Sequence, residues 1–142
     1  MYNVVCLYPP KRAEFTRPMG ARPTDEFQPV RVCDDSLVDL GIHKDDLLAA
    51  NLSLTPEEGQ LSFIKTLQVN LLGYFFPHDS DWAKIESVCT ALCCPPEYIR
   101  LSDIHIAAPI VWAYRSSRGA SWNFTFRKFR SRRWKEKHLR AV

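Results

Sequence analysis

The chain has 142 residues, enough for one domain with a real core, and 46% hydrophobic with 25% charged residues is a globular composition. Its longest apolar run, near Ile104 to Tyr114, holds His105 and Pro109 and is too short to span a bilayer, so no membrane role is expected. Five cysteines without a Cys-x-x-Cys pair favour reduced thiols, and Met1 to Pro10 lacks a basic start before its apolar run, so the expected setting is cytoplasmic.

The net charge of +3 hides an asymmetry. Residues 119 to 142 hold eight Lys/Arg against one acid, a local +7, while the remaining residues sum to −4. Ten prolines against five glycines suggest many strand ends and few long helices.

Residues 1 to 29 read as an extended arm. Asn3 to Tyr8 has strand composition, and Pro9, Pro10, Pro18, Pro23 and Pro29 exclude a helix. Val30 to Cys33 reads as a short strand ending at the turn Asp34-Asp35-Ser36. Asp46 to Ala50 is nearly continuous in apolar residues, which predicts a strand buried on both faces. Thr55 to Gly59 is a turn, and Gln60 to Thr66 with Val69 to Phe76 forms a hairpin. If Leu67-Gln68 is its tip, Lys65 pairs near Asn70 and Ser62 near Gly73.

From His78 to Cys94 the apolar residues Trp82, Ile85, Cys89, Leu92 and Cys93 recur near helical spacing. Asp79, Ser80 or Asp81 would cap the start and Pro95-Pro96 the end, so one short helix is expected. Cys89, Cys93 and Cys94, beside His78 or His105, match no zinc spacing and read as buried thiols, so no metal and no cofactor is expected. Tyr98 to Leu101 and Ile104 to Tyr114 read as closing strands. Ile106, Ile110 and Trp112 share one face of the second, and so apolar a face is expected to meet a symmetric partner. His43, His105 and His138 read as a loop, a strand-face and a tail residue.

Trp122 to Phe126 alternates like a strand. The cations Arg127, Lys128, Arg130, Arg132, Arg133, Lys135, Lys137 and Arg140 then run with Phe129 and Trp134 interleaved. Cations contact phosphates and aromatic rings stack on bases, so this stretch, with Trp134, is a candidate nucleic-acid element for single-stranded DNA; a solvated tail, or one docked on the acidic body, is the alternative.

The ordered set Asp34-Asp35-Ser36-Leu37, Gly41-Ile42, Asp46-Leu47-Leu48, Leu52-Ser53-Leu54 and Glu58-Gly59-Gln60-Leu61 resembles the LexA/UmuD superfamily of serine-peptidase domains, and most of all its UmuD branch of translesion-polymerase accessory subunits. Asp34 and Leu37 stand where the family has Gly and Met. The resemblance covers about residues 30 to 114. It implies a mostly β fold, a LexA/UmuD-like twisted β-ribbon domain, here with one short helix and a basic C-terminal extension over residues 115 to 142.

The resemblance also implies a chemistry. The family's serine, here Ser36, is activated by a neutral lysine and attacks the protein's own amino-terminal arm. Ungapped spacing from Ser36 puts the lysine position at Gly73, and glycine is no base. Lys65 is the nearest candidate, about 10 Å along the strand and on the other face. Ser36 is therefore read as a relic nucleophile that bonds local backbone. The family's cleavage site would fall at or before Met1, so the chain looks like the already processed form.

The expected function is a non-catalytic homodimer accompanying or regulating a Y-family DNA polymerase in the DNA-damage response, with the RecA filament as a further partner by resemblance. The alternatives are a phage- or plasmid-type DNA-binding or repressor-interacting regulator, and a self-cleaving serine peptidase with an unrecognised base.

Overall fold

The structure, a computed structural model, describes residues 3–7, 22, 24–35, 37–88, 96–115 and 120–122. Among them are nine strands: β1 (Asn3–Leu7), β2 (Phe27–Val32), β3 (Leu47–Asn51), β4 (Gln60–Thr66), β5 (Asn70–Pro77), β6 (Trp82–Glu86), β7 (Glu97–Arg100), β8 (Ile104–Arg115) and β9 (Ala120–Trp122). The mostly β expectation holds. All pairings are antiparallel, in the order β1-β2-β3-β8-β4-β5-β6-β7, with β9 on β8.

A further pairing of β1 with β5 closes β1, β2, β3, β8, β4 and β5 into a hydrogen-bonded ring. Three strands change partner along their length. In β1, Asn3 and Val4 pair with β5, and Val5 to Leu7 with β2. On one edge of β5, Leu71 and Leu72 meet β1 while Tyr74 to Pro77 meet β6. In β8, residues from Ile104 to Pro109 pair with β4, and those from Ile110 to Tyr114 with β3. Pro109 falls where the partner changes, the place in a long strand where a missing N–H donor disturbs the ladder least.

Alternation along the strands sends side chains to two cores. Val30, Val32, Leu48, Leu61, Phe63, Leu72, Tyr74 and Ile110 belong to the larger, with Leu37 and Ile42 from the loop before β3. Ile64, Leu71, Phe75, Ala83 and Ile85 form the second, on the other face of β4 and β5. With β2 and β8 on its edges, β3 is buried at every position, as its apolar run predicted. The β4–β5 hairpin takes the expected register, Lys65 opposite Asn70 and Ser62 opposite Gly73.

Two expectations need correction. The helix over 78 to 94 does not form across its first half. Trp82 to Glu86 is β6, in which Ala83 and Ile85 are buried and the residues between are half-buried, a period of two. Asp79 does collect backbone N–H groups, from Asp81 (2.8 Å) and Trp82 (2.9 Å), but its turn leads into a strand. Cys89, Leu92, Cys93 and Cys94 lie outside the described residues.

The second concerns Ile106, Ile110 and Trp112. Trp112 is 2% exposed and Ile110 fully buried within the single chain, and Ile106 packs on the larger core. The register shift between Ala49, opposite Trp112, and Ala50, opposite Ile110, puts Trp112 and Ile110 on opposite faces, so β8 does not present the single apolar face that was expected to meet a partner.

Tyr74 sits in the larger core, and burial pushes its phenol up to about 12 from 10.0. A raised folded-state pKa stabilises the fold below the unfolded value and loses that contribution between pH 10 and 12, where only the unfolded phenol ionises. Two units correspond to about 2–3 kcal/mol. Urea titrations at pH 8 and 11.5 should show wild type losing more stability than Tyr74→Phe; equal losses would place the alkaline sensitivity elsewhere.

Candidate functional site

The loop between β2 and β3 carries the turn to which the sequence pointed. Ser36 itself lies outside the described residues, but both its flanks are defined. Cys33, Asp34 and Asp35 are exposed, and Leu37 is fully buried. A single 3-10 turn follows over Val38–Leu40. It ends at Gly41, whose φ of 79° suits glycine, and its N–H donates to the Val38 carbonyl at 2.8 Å. The Ile42 N–H returns to the Leu37 carbonyl at 3.2 Å, and both side chains enter the core. The Lys44 N–H donates to Asp35 Oδ1 at 2.9 Å, tying the start of the loop to its end.

Asp46 fixes that end. Its side chain is 2% exposed and accepts the His43 N–H on Oδ2 at 2.8 Å. Arg115, at the last position of β8, grips the same carboxylate with Nη2 on Oδ2 (2.8 Å) and Nε on Oδ1 (2.9 Å). Nη2 also donates to the Gly41 carbonyl at 3.2 Å. The fork of a guanidinium matches two carboxylate oxygens at once. The hydrogen bonds to Asp46 push the Arg115 pKa further up, with burial acting the other way. One arginine thus holds both the turn glycine and the buried acid. Sequence reading missed it, because partners 69 positions apart leave no local signal.

Gly73, the position at which the resemblance implies a base, lies on β5. Gly73 is buried mid-strand opposite Ser62, whose hydroxyl donates to the Gln60 carbonyl at 3.0 Å. Neighbours in a strand point to opposite faces, so Ser62 and Gly73 share the face of Ile64 and Leu71. Lys65 is half-buried, paired with Asn70 and with Ile106 of β8, on the opposite face. The glycine position therefore carries no amine, and Lys65 does not face it.

The basic stretch Arg127 to Arg140, including Trp134, lies outside the described residues. Among the described residues, no group of three or more His, Cys, Asp or Glu is placed to hold a metal ion, and no helix is long and apolar enough to cross a membrane. No family model matches the chain, and no curated protein matches it.

Removing the guanidinium strands a buried carboxylate. Arg115→Met should cost about 2 kcal/mol, below the range for fully buried pairs because Arg115 is 21% exposed. Arg115→Lys should restore only part, since a point charge does not make two parallel bonds. Chemical denaturation of the three proteins reads the order; Arg115→Met as stable as wild type would deny the clamp its role.

Proposed function

We propose that the chain is a non-catalytic LexA/UmuD-like subunit, a homodimer that accompanies or regulates a Y-family DNA polymerase in the DNA-damage response. The observation that carries the loss of catalysis is Gly73. It stands where the family's base would be, opposite Ser62 on a buried strand, with Lys65 turned to the other face. The ordered motifs from Asp34 to Leu61 support the family reading, as does a serine loop built on a buried Leu37–Ile42 pair and closed by Arg115. The dimer rests on resemblance alone.

A serine without a base stays protonated and is a poor nucleophile. Incubation with activated RecA filament, and separately at alkaline pH, should leave one full-length mass. A fragment that disappears in Ser36→Ala would overturn the non-catalytic reading. Tagged protein expressed in cells carrying a Y-family polymerase should bring that polymerase down. Its absence from the eluate, under conditions that retain a known accessory subunit, would remove the accessory role.

The local +7 of residues 119 to 142 favours a second reading, a nucleic-acid-binding regulator. Five or six phosphate contacts give a log-log salt slope of roughly −4 to −5, and Phe129 and Trp134 would add stacking on single strands. Since Ala120–Trp122 is β9 and pairs with β8, the informative deletion is residues 123 to 142, which spares that strand. Fluorescence anisotropy should show salt-sensitive binding to labelled single-stranded DNA that the truncation abolishes. Equal binding by both proteins excludes the tail as the contact.

A further inference from the structure

We propose that β7 is the homodimer edge, pairing antiparallel with β7 of a second copy about a two-fold axis at Ile99. The inference rests on the homodimer reading and gives it a surface, replacing the β8 face, which the chain buries itself.

Among the described residues β7 pairs only with β6, and none of them occupies its other edge. The Leu101 N–H donates to the Asp81 carbonyl at 2.8 Å. Donors alternate sides along a strand, so Ile99 also faces β6, and the backbone groups of Tyr98 and Arg100 face outward. Consistently, the carbonyl of Trp82, opposite Arg100, is turned away from β7 to accept His78 and Asp79 N–H groups at 3.2 Å.

A two-fold axis perpendicular to the sheet allows only registers in which a residue meets itself. Centred on Ile99, Tyr98 opposes the partner's Arg100 and Arg100 opposes the partner's Tyr98. Both pairs use outward-facing groups, so four backbone hydrogen bonds form. Centred on Tyr98, two bonds would join Tyr98 to its own copy, and each Arg100 N–H could still donate to the partner's Pro96 carbonyl, although Pro96 has no N–H to give back, so the backbone alone allows either register.

Side chains favour the Ile99 axis, because the Tyr98 axis would set Arg100 against a proline. Tyr98 is 48% exposed, and Arg100 lies over the Trp82 ring with its Cζ 5.1 Å from the centroid. On the same face Lys84 lies 5.0 Å from the centre of the Phe76 ring. Across the axis, Trp82 and Arg100 would meet the partner's Tyr98 and Lys84, a row in which rings and cations alternate. On the other face Ile99 meets its own copy, apolar against apolar. Like charges do not meet directly at any pair. Beside the edge, a groove of about 540 Å³ includes Leu67, Val69 and Leu71 with Ile99, apolar surface adjoining the joint.

Proline gives a clean test. Arg100 has φ of −62°, the value proline requires, and its N–H makes no bond to β6 in this register. Arg100→Pro therefore removes two of the four intermolecular bonds without breaking an internal one. Sedimentation equilibrium should show a dimer for wild type and dissociation roughly 30-fold easier for Arg100→Pro, with unchanged far-ultraviolet circular dichroism. In a second variant, Ile99→Cys, the two new thiols lie across a narrow antiparallel pair, within disulfide reach. Mild oxidation should yield a covalent dimer that wild type, with its own five cysteines, does not form. If wild type is a dimer and Ile99→Cys does not cross-link beyond it, β7 is not the joint and the homodimer reading stands. A dimer constant unmoved in a folded Arg100→Pro has the same meaning. A wild type that stays monomeric at 100 µM, roughly ten times the concentration at which a modest dimer forms, overturns both.

Discussion

The divided partnership of β8 is the constraint on which the architecture depends. Its first half hydrogen-bonds to β4 and its second to β3, so one strand joins the two parts of the ring. β1 and β5 divide their partners in the same way. A strand that changes partner must bend, and β8 carries an extra residue at each register shift, Val111 opposite Ala49–Ala50 and His105 opposite Lys65–Thr66. Closure gives every ring strand a neighbour on each side, at the cost of fixing every register at once.

The serine loop is held by this frame. Leu37 and Ile42 anchor its two sides in the larger core, and Arg115, the last residue of β8, reaches back to Asp46 and Gly41. The anchoring is apolar and electrostatic and none of it needs the serine to react.

Where local pattern decides structure, the sequence was readable. The turn at Leu67-Gln68, the register it sets and the burial of β3 all follow from residues a few positions apart. Misreading came where two patterns overlap. Trp82 and Ile85 are three apart, as on a helix, yet Ala83 and Ile85 also alternate as on a strand, and the Asp79 turn looks like a cap in either case. Pairing with β5 decided the matter, and such pairing is not local. β8 misled for a related reason: Ile110 and Trp112 look like one face by alternation, but a bulge between them turns them to opposite faces, and sequence does not say whether this chain or another covers them. The Asp46–Arg115 clamp was invisible for the same lack of any link along the chain.

The place of β8 also governs the order in which the molecule can be assembled. β3 and β4 are close in sequence but not in the ring, because β8 lies between them. During synthesis both leave the ribosome well before their shared neighbour exists. For that interval each presents an unpaired apolar edge, and the easiest error is a direct β3–β4 hairpin that leaves no slot for β8. High contact order slows the correct closure further. Nascent chains stalled short of Ile104 should therefore depend on chaperones, and completion of β8, rather than any earlier hairpin, marks the moment at which the chain becomes safe from its own edges.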